Sequence, residues 1–358
     1  MRKNRNNWRV PLAGALLFTT AVSAETDTYV DGKNKVTLSV GVGLNISGKF
    51  KGVGGLNASA PRLTPDGKTY NYNDGYVFSL PAFPGPGLTW YLGYDNSANQ
   101  VNRVGFPANT IEFDNTSVTG IPSEQSGGSN PYLDVELAYD RELFVKEDWH
   151  NTSFGLEAAV HYMPISFNGG GTYSANVTQV TDAYSFTPGT SPPTATPGNP
   201  YQGTLNGPGF LLNFPASGST MTSFPGSTFT AHEHFDGNFF GFRLGPYVEY
   251  PFTDKLSLHL SAGLAVGLLD DRASWQETLA LSGGGGTTTT SGSGDDSDVL
   301  WGGYVSLQAQ WQLNQRWGVE VGGQFQDLGK YDHNFSGREV ELDFSRAIFV
   351  HAGVSYSF

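Results

Sequence analysis

The sequence predicts an all-β chain that closes into an antiparallel transmembrane β-barrel, most simply one of eight strands. Three observations support this fold class. Apolar and polar side chains alternate in eight segments, short and long connections follow one another between them, and the composition suits sheets with tight turns. Of 358 residues, 47 are Gly and only 15% are charged. A typical soluble domain has about 7% Gly and about 25% charged residues.

The N-terminus has the pattern of a secretory signal peptide. Basic residues come first, an apolar run covers residues 10–22, and small residues follow. The run is shorter than the roughly 20 apolar residues of a membrane-spanning helix. We therefore expect residues 1–24 to be removed after export, residues 25–35 to form a short periplasmic segment, and the barrel to occupy residues 36–358.

The charge and the cysteine content exclude several classes of protein. The chain has 20 Lys and Arg against 33 Asp and Glu, a formal net charge of −13. Loss of the four basic residues of the signal peptide would change the balance to 16 − 33, or −17. Nucleic-acid binding depends on Lys and Arg that neutralise phosphates, so no nucleic-acid partner is expected. The absence of Cys excludes a disulfide framework, and no cofactor is predicted.

The first four predicted strands each carry one apolar row. In residues 36–46 a Val, Leu and Ile row alternates with Thr, Ser and Gly. In residues 133–140 Leu, Val and Tyr alternate with Asp, Glu and Ala. Residues 154–163 place Phe, Leu, Ala, Val and Tyr opposite Gly, Glu and His, and residues 240–250 place Phe, Leu and Val opposite Gly, Arg and Glu. A period of two indicates strands whose faces meet different solvents.

The last four predicted strands repeat this pattern. Residues 256–268 set Leu, Ala and Val against Ser, His and Gly, and residues 299–313 set Val, Trp and Leu against Tyr, Ser and Gln. Residues 317–326 set Trp, Val and Phe against Gly, Glu and Gln. In residues 347–358 the apolar row ends on Phe358, and the alternate positions are small or polar except for one Phe. The count is therefore eight.

Long connections alternate with short turns. The predicted long loops are 51–130, 168–236, 270–298 and 329–345, and the short turns lie near 144–151, 252–255 and 314–315. Long loops on one rim and short turns on the other are typical of outer-membrane barrels, whose long loops face outside.

Three of these loops leave structural questions open. Residues 51–130 could instead supply extra strands, giving a barrel of 10–12 strands. Residues 172–186 could extend the preceding strand above a membrane, whereas residues 185–200, with five prolines, offer no plausible long strand. Residues 283–298 are predicted to be a low-complexity loop.

The alternative fold is a secreted β-sandwich, whose strands also alternate apolar and polar side chains. The apolar rows, however, run for six or seven side chains, near the 9–11 residues with which a tilted strand crosses a bilayer. Aromatic residues also gather on the apolar face at the short-turn rim, where an interfacial girdle belongs. These girdle residues are Tyr250, Trp311, Trp317, Tyr356 and Phe358. The opposite face is polar, so the sequence favours a closed membrane barrel.

The last strand resembles the C-terminal assembly signal of bacterial outer-membrane barrels, through Val350, Val354, Tyr356 and Phe358. The strand half of the chain is similar to small barrels of the OmpA, OmpX and OmpW type. This resemblance implies the outer membrane of a Gram-negative cell. It also implies the barrel-assembly machinery, membrane lipid and lipopolysaccharide as partners. No periplasmic peptidoglycan-binding domain is expected.

Charged residues on the predicted inner face form a candidate lumen cluster. The cluster comprises Glu157, His161, Arg243, Glu249, His259 and Glu320. A lumen of eight strands is about filled by its own side chains, so we expect ion pairs, with Arg243 pairing one or two carboxylates. The alternative is a narrow polar path for small solutes.

Other constellations carry weaker signals. His259 and Ser261 share a strand face, but no carboxylate at a convincing spacing orients the His, so no catalytic residue is predicted. The run from His232 to His234 lacks a third metal ligand. Residues 71–75 are rich in Asn, Asp and Gly, which turn chemistry explains as well as calcium binding. The acidic residues 295–298 could meet divalent cations that bridge lipopolysaccharide. No metal site is predicted.

Aromatic residues concentrate in the first long loop. They are Tyr70, Tyr72, Tyr76, Trp90, Tyr91 and Tyr94. They predict either an ordered cap over the barrel mouth, which we favour, or a surface that binds sugars or a partner protein. The function expected from the sequence is a non-enzymatic structural or surface-interaction role, with an extracellular ligand possible at the loops. A small-solute porin and a lipid-modifying barrel enzyme are the alternatives.

Overall fold

The computed structural model describes residues 33–54, 68–79, 85, 87–128, 131–204 and 207–358. The predicted signal peptide lies outside these residues. Within them, no helix has both the length and the apolar character needed to cross a membrane.

Eight antiparallel strands of the described chain form a closed ring. The strands are β1 (Asn34–Leu44), β2 (Tyr132–Lys146), β3 (Thr152–Ser185), β4 (Gly218–Pro251), β5 (Leu256–Ala280), β6 (Thr287–Gln312), β7 (Trp317–Asp327) and β8 (Ala347–Ser357). Each strand pairs with the next along the chain, and β8 pairs with β1. The predicted closed barrel of eight strands is confirmed, and the alternative of 10–12 strands is wrong. Two 3₁₀ turns, Glu147–Trp149 and Ser282–Gly284, lie in the connections.

Closure follows from the register between the first and last strands. Leu38 lies opposite Val354 on β8 and opposite Leu137 on β2, and all three side chains are exposed on the outer face. Ser39 lies opposite Gly353 and Glu136, on the inner face. Because side chains alternate with a period of two, this register places the apolar rows of these three strands outside and their polar rows inside.

The outer face carries a continuous apolar band. Strands β1, β7 and β8 are 11 residues long. At roughly 3.3 Å per residue and a tilt of about 40°, they span about 28 Å. The five predicted girdle residues lie at the short-turn end, where the rings of Trp317 and Tyr356 are 5.0 Å apart. At the opposite end, exposed polar residues such as Asn238, Asp270 and Asp327 end the band. This band has the dimensions of a membrane-spanning surface.

Four strands continue well beyond the apolar band. Strands β3 and β4 have 34 residues each, β5 has 25 and β6 has 26. Residues predicted as the loops 168–236 and 270–298 are therefore largely β-structure that projects from the long-loop rim. The low-complexity loop predicted at 283–298 is wrong from Thr287 onward, because β6 begins there and pairs with β5.

The other four strands are extended by a separate sheet. It contains Ser47–Lys51, Glu124–Gly128, Lys330–Phe335 and Arg338–Asp343. This four-stranded sheet and the upper parts of β3 to β6 enclose an apolar core. Phe167 stacks on Phe235 at 4.9 Å, and Phe50 packs against Phe167 at 5.3 Å. The barrel thus continues as a second, upper tier, filled with aromatic side chains.

A distal cap sits at the far end of β3 and β4. Its strands are Lys68–Tyr72, Gly75–Ser79, Leu88–Thr89, Leu92–Tyr94, Thr110–Thr119, Tyr201–Gln202 and Leu212–Asn213, with one short helix, Ser97–Gln100. Thr110–Thr119 pairs with residues 176–185 of β3. The side chain of Asn96 caps the helix by accepting from the N–H of Ala98 at 3.0 Å. The first long loop therefore builds structure outside the barrel ring.

Candidate functional site

Arg243 lies at the centre of the barrel lumen and is buried. Its guanidinium, predicted to pair with one or two carboxylates, contacts two. Nη2 is 2.5 Å from Oε1 of Glu136, and Nη1 is 2.9 Å from Oε1 of Glu157. The ring of Tyr304 lies 5.1 Å from the guanidinium carbon. Since a buried charge must be paired, these contacts hold strands β2, β3, β4 and β6 to one centre.

Glu157 joins this centre to strand β5. It lies 3.1 Å from Nε2 of His259 and accepts a hydrogen bond from Oγ of Ser261 at 3.0 Å. The sequence offered no carboxylate at a convincing spacing to orient His259, yet Glu157 contacts it, because this contact crosses an intervening strand that the spacing does not reveal. Ser261 nevertheless donates to Glu157 and not to His259. This geometry does not form the Ser–His pair of an activated nucleophile.

Below this centre, Lys35 supplies a cation that the sequence analysis missed. Its Nζ lies 3.1 Å from Asp140, 3.3 Å from Glu249 and 2.9 Å from the side-chain oxygen of Gln310. The parity of β1 is the signal that could have found it, since Lys35 precedes the inward row of Thr37 and Ser39. Glu320 accepts from these two hydroxyls at 3.5 and 3.3 Å.

The sixth predicted residue, His161, joins another buried pair. Its Nδ1 is 2.7 Å from Asp134, which also lies 3.3 Å from Nε2 of His351. The His161 ring packs against Phe239 and Phe349, with centroids 5.4 and 5.1 Å away. The structure thus brings all six predicted lumen residues inside the ring. It also places the rings of Phe239 and Phe349 beside His161, next to the ion pairs of the lumen.

Two groups of three possible metal ligands occur in the described ranges. They are Asp140 with Glu157 and His259, and Asp332 with Glu339 and Glu341. In each group a lysine contacts the carboxylates. Lys35 lies beside Asp140, and Lys51 in the upper tier is 2.6 Å from Glu341. The hydrogen bonds that the Lys51 ammonium donates to the carboxylates of Glu339 and Glu341 raise the pKa of Lys51. The chain itself therefore supplies the positive charge that these carboxylates require.

The run from His232 to His234 is divided between two faces of β4. His232 and His234 point outward and are exposed, whereas Glu233 points inward and is buried. His234 contacts Asn168 at 2.7 Å and Asp236 at 2.5 Å on the outer surface. The three side chains cannot converge on one ion. Outside them, a polar groove of about 700 Å³ follows this part of the wall.

Glu233 faces a second buried ion pair in the upper tier. Arg338 holds Glu277 through two hydrogen bonds, of 3.0 and 2.6 Å. Neither carboxylate oxygen of Glu233 has a hydrogen-bond partner in the described structure. Burial, reinforced by the nearby charge of Glu277, raises the pKa of Glu233 to about 7. The upper tier therefore holds a carboxyl group that favours its protonated form.

The hairpin turn within residues 71–75 docks onto an edge strand of the cap. The side-chain oxygen of Asn73 accepts from the N–H of Thr116 at 2.5 Å, and Oδ1 of Asp74 accepts from the N–H of Asp114 at 2.9 Å. Burial raises the pKa of Asp74 to about 7. These side chains satisfy backbone donors, as the turn chemistry of Asn and Asp predicts.

The loop aromatics form a packed core in the cap. Tyr72, Tyr76, Tyr91 and Tyr94 are each at most 3% exposed. Tyr72 packs against Phe113 and shares a hydrogen bond of 2.7 Å with Tyr184 near the end of β3. The predicted ordered cap is present, but it packs on the distal end of β3.

Comparisons with known proteins identify no family. No family model matches the chain, and no curated protein matches its sequence. One similar solved structure is that of Ail, the attachment invasion locus protein of Yersinia pestis, in complex with the heparin analogue sucrose octasulfate. Its sequence is 7% identical and its TM-score is 0.24, and the match covers 91% of this chain and 99% of Ail. The outer membrane protease OmpT from Escherichia coli is 14% identical, with a TM-score of 0.29, covering 94% and 100%.

A Pseudomonas aeruginosa FadL homologue is 10% identical, with a TM-score of 0.21, covering 90% of each chain. At such identities and TM-scores these likenesses carry no argument about function. The fold assignment rests on the closed ring of strands itself.

Proposed function

We propose that this protein is a non-enzymatic surface-interaction protein of the Gram-negative outer membrane. Its barrel would serve as an anchor, and its second tier and distal cap would meet ligands outside the cell. One observation carries this proposal. Buried ion pairs and aromatic side chains occupy the lumen around Arg243, whereas four strands extend far beyond the apolar band and the longest two reach a cap with its own core.

The outer surface supports the membrane location. Large apolar side chains are exposed around the ring, among them Leu244 at 57%, Leu264 at 70% and Trp301 at 72%. A soluble protein rarely exposes a contiguous apolar surface of this extent. A closed ring in lipid also satisfies every backbone hydrogen bond, which an open sheet cannot do.

The porin and enzyme alternatives receive less support. A conducting pore needs a continuous aqueous path, and the buried contacts of Arg243 and the rings of Phe239 and Phe349 beside His161 support a closed lumen instead. A barrel enzyme needs an accessible nucleophile with an oriented base. Ser261 and His259 are both buried and both bonded to Glu157.

Planar-bilayer recording tests the closed lumen. We expect the purified protein to give no discrete conductance steps, under conditions in which a 16-stranded porin gives them. An Arg243→Ala variant, which removes the central cation, should show intermittent openings that the native protein lacks. Regular steps from the native protein would contradict the proposal and favour the porin alternative.

Binding to intact cells tests the surface role. Cells that express the native protein would be compared with cells that express Phe113→Asp, which disrupts the cap core, and the conservative control Phe113→Leu. The probes are arrays of immobilised oligosaccharides and extracellular matrix proteins. We expect the native protein and Phe113→Leu to bind at least one probe, and Phe113→Asp to lose it while still reaching the membrane. Equal binding by the native protein and both variants would exclude the cap as the binding region.

A further inference from the structure

The distal part of β4 has an open backbone edge. Residues 218–224 pair on one side with residues 177–183 of β3. On the other side, β5 begins to pair only at Thr228, opposite Ala280. No strand in the described ranges covers the outer edge of residues 218–224. Its outward N–H and C=O groups are therefore free to pair with another strand.

Within residues 218–224 this edge lacks the features that normally protect a bare strand, because Pro225 and the register shift in the pairing of β4 with β3 both lie at its base. Residues 218–223 are exposed on both faces, and Met221 is 70% exposed. The segment is built from Gly, Ser, Thr, Met and Phe and contains no charged residue, and the nearest proline is Pro225 at its base. Natural proteins protect edge strands with charges, prolines or bulges. An uncharged, Thr-containing edge is instead suited to the addition of a strand.

We infer that residues 218–224 pair with the same segment of a second copy of this chain held in a facing membrane. The inference rests on the proposed surface location. A second copy offers an identical edge, and the absence of charge in both avoids the like-charge repulsion expected elsewhere on a chain with a net charge of −13. Pairing of identical surfaces about a two-fold axis is the commonest form of self-association.

The direction of β4 decides where the second copy must be. The strand runs from the distal cap at Gly218 down to the short-turn rim at Pro251. A two-fold axis perpendicular to the edge makes the two strands antiparallel, so the second chain runs in the opposite direction. The barrel of the second copy then lies beyond the distal ends of β3 and β4 of the first, in another membrane. The inferred interaction is therefore adhesion between two cells that carry the same protein.

A single edge of seven residues forms few hydrogen bonds, so one pair of molecules would bind weakly. Many copies in each membrane would act together, because each pair that forms raises the effective concentration of the next. The inference therefore concerns multivalent adhesion between membranes. It does not predict a stable dimer in detergent.

Vesicle aggregation tests the pairing. Two vesicle populations, each with a different fluorophore and the full-length protein oriented outward, are mixed and their co-migration is measured. We expect the native protein to aggregate them, and Thr220→Lys with Thr222→Lys to reduce aggregation at least tenfold. The matched control is Thr230→Lys with Thr278→Lys, which adds two charges over strands paired on both sides. Equal loss in the two double variants, or no aggregation by the native protein, would overturn the inference.

Cross-linking between the vesicle populations tests the register, since the native chain has no Cys. Single cysteines are placed at positions 218–223, and each pair of variants is oxidised across the two populations. Antiparallel pairing predicts disulfides only for pairs whose position numbers add to one constant sum. Cross-links confined to one population, or yields that do not depend on the sum, would contradict trans pairing. The conductance and cell-binding results would stand unchanged by such a failure.

Discussion

Strand β4 passes through two regions whose polarity is opposite. Below Asn238, its outward side chains are apolar, as at Phe242 and Leu244, and its inward side chains include Arg243 and Glu249. Above Asn238, the outward residues are polar, and the inward ones include Phe229 and Phe235. The side chains that point outward there are Thr230, His232, His234 and Asp236, and those that point inward are Phe229, Ala231, Glu233 and Phe235. The strand does not change face, so the solvent around it must change.

This comparison shows how one strand can serve two solvents. In the lower region lipid surrounds the barrel, so polar groups are confined to the lumen and must be paired there. In the upper region water surrounds the wall, and the hydrophobic effect places apolar side chains inside as in any soluble protein. The three predictions below test the two regions separately, from the largest expected effect to the smallest.

Loss of the central cation should have the largest effect. Arg243→Ala removes the guanidinium that pairs with the buried carboxylates of Glu136 and Glu157, and breaking a buried ion pair in this way costs about 3–5 kcal/mol. The measurement is the free energy of unfolding in denaturant, for protein reconstituted in lipid vesicles. The control is Arg272→Ala, whose ion pair with Asp295 is exposed and 3.7 Å long. That control should change stability by less than about 1 kcal/mol. Equal losses would contradict the ion-paired lumen.

A charge on the outward face should distinguish the two regions of β4. Leu244→Arg places a cation near the middle of the apolar band and should destabilise the folded barrel by about 2–4 kcal/mol. Thr230→Arg has the same parity but lies above the band, where a surface substitution changes stability by about 0.5 kcal/mol or less. Unfolding of both variants in vesicles provides the comparison. Similar values for the two would show that one solvent surrounds both positions.

The pH dependence of the upper tier should follow Glu233. Its pKa is raised from 4.5 to about 7 in the folded protein, so the folded state resists ionisation of this group. Stability is full below about pH 4.5 and declines as the pH rises through 7. Glu233→Gln should remove about 1–2 kcal/mol of this decline, since one pKa unit corresponds to about 1.4 kcal/mol and hydration of the site reduces the effect.

The difference between native protein and Glu233→Gln isolates this group from Asp74, whose raised pKa acts in the same direction. This difference in stability is measured by amide hydrogen exchange of the upper tier at pH 5 and pH 8. Identical pH profiles for the two proteins would exclude Glu233 as the cause.

The sequence was sufficient for the membrane barrel because lipid imposes one simple rule. Every strand that crosses the band must carry an apolar row with a period of two, and the eight rows were visible without long-range information. The parity of those rows also identified inward residues such as Glu157 and His259. Which of them touch could not be predicted, because the contacts join β3 to β5 across an intervening strand.

The extension of β3 through residues 172–185 agrees with one of the alternatives drawn from the sequence, whereas the extensions of β4, β5 and β6 above the apolar band were missed for a physical reason. Above Asn238 the apolar row of β4 moves to the inward positions, so the pattern that marked a strand below the rim is reversed above it. Residues 287–298 contain only Thr, Ser, Gly and Asp, so neither face of this segment is apolar. Such a composition indicates a loop. These residues form β6 because β5 pairs with them along its length. Pairing, which a single sequence does not show, decides such segments.

The most direct test of this account is a depth measurement along the outward face of β4. Single cysteines at positions 230, 234, 242 and 244, in a chain that otherwise has none, are labelled with a fluorophore in reconstituted vesicles. The account predicts that a water-soluble quencher reaches the labels at positions 230 and 234, whereas only a lipid-attached quencher reaches those at positions 242 and 244. The same quenching at all four positions would contradict a change of solvent at Asn238, and with it the anchored barrel.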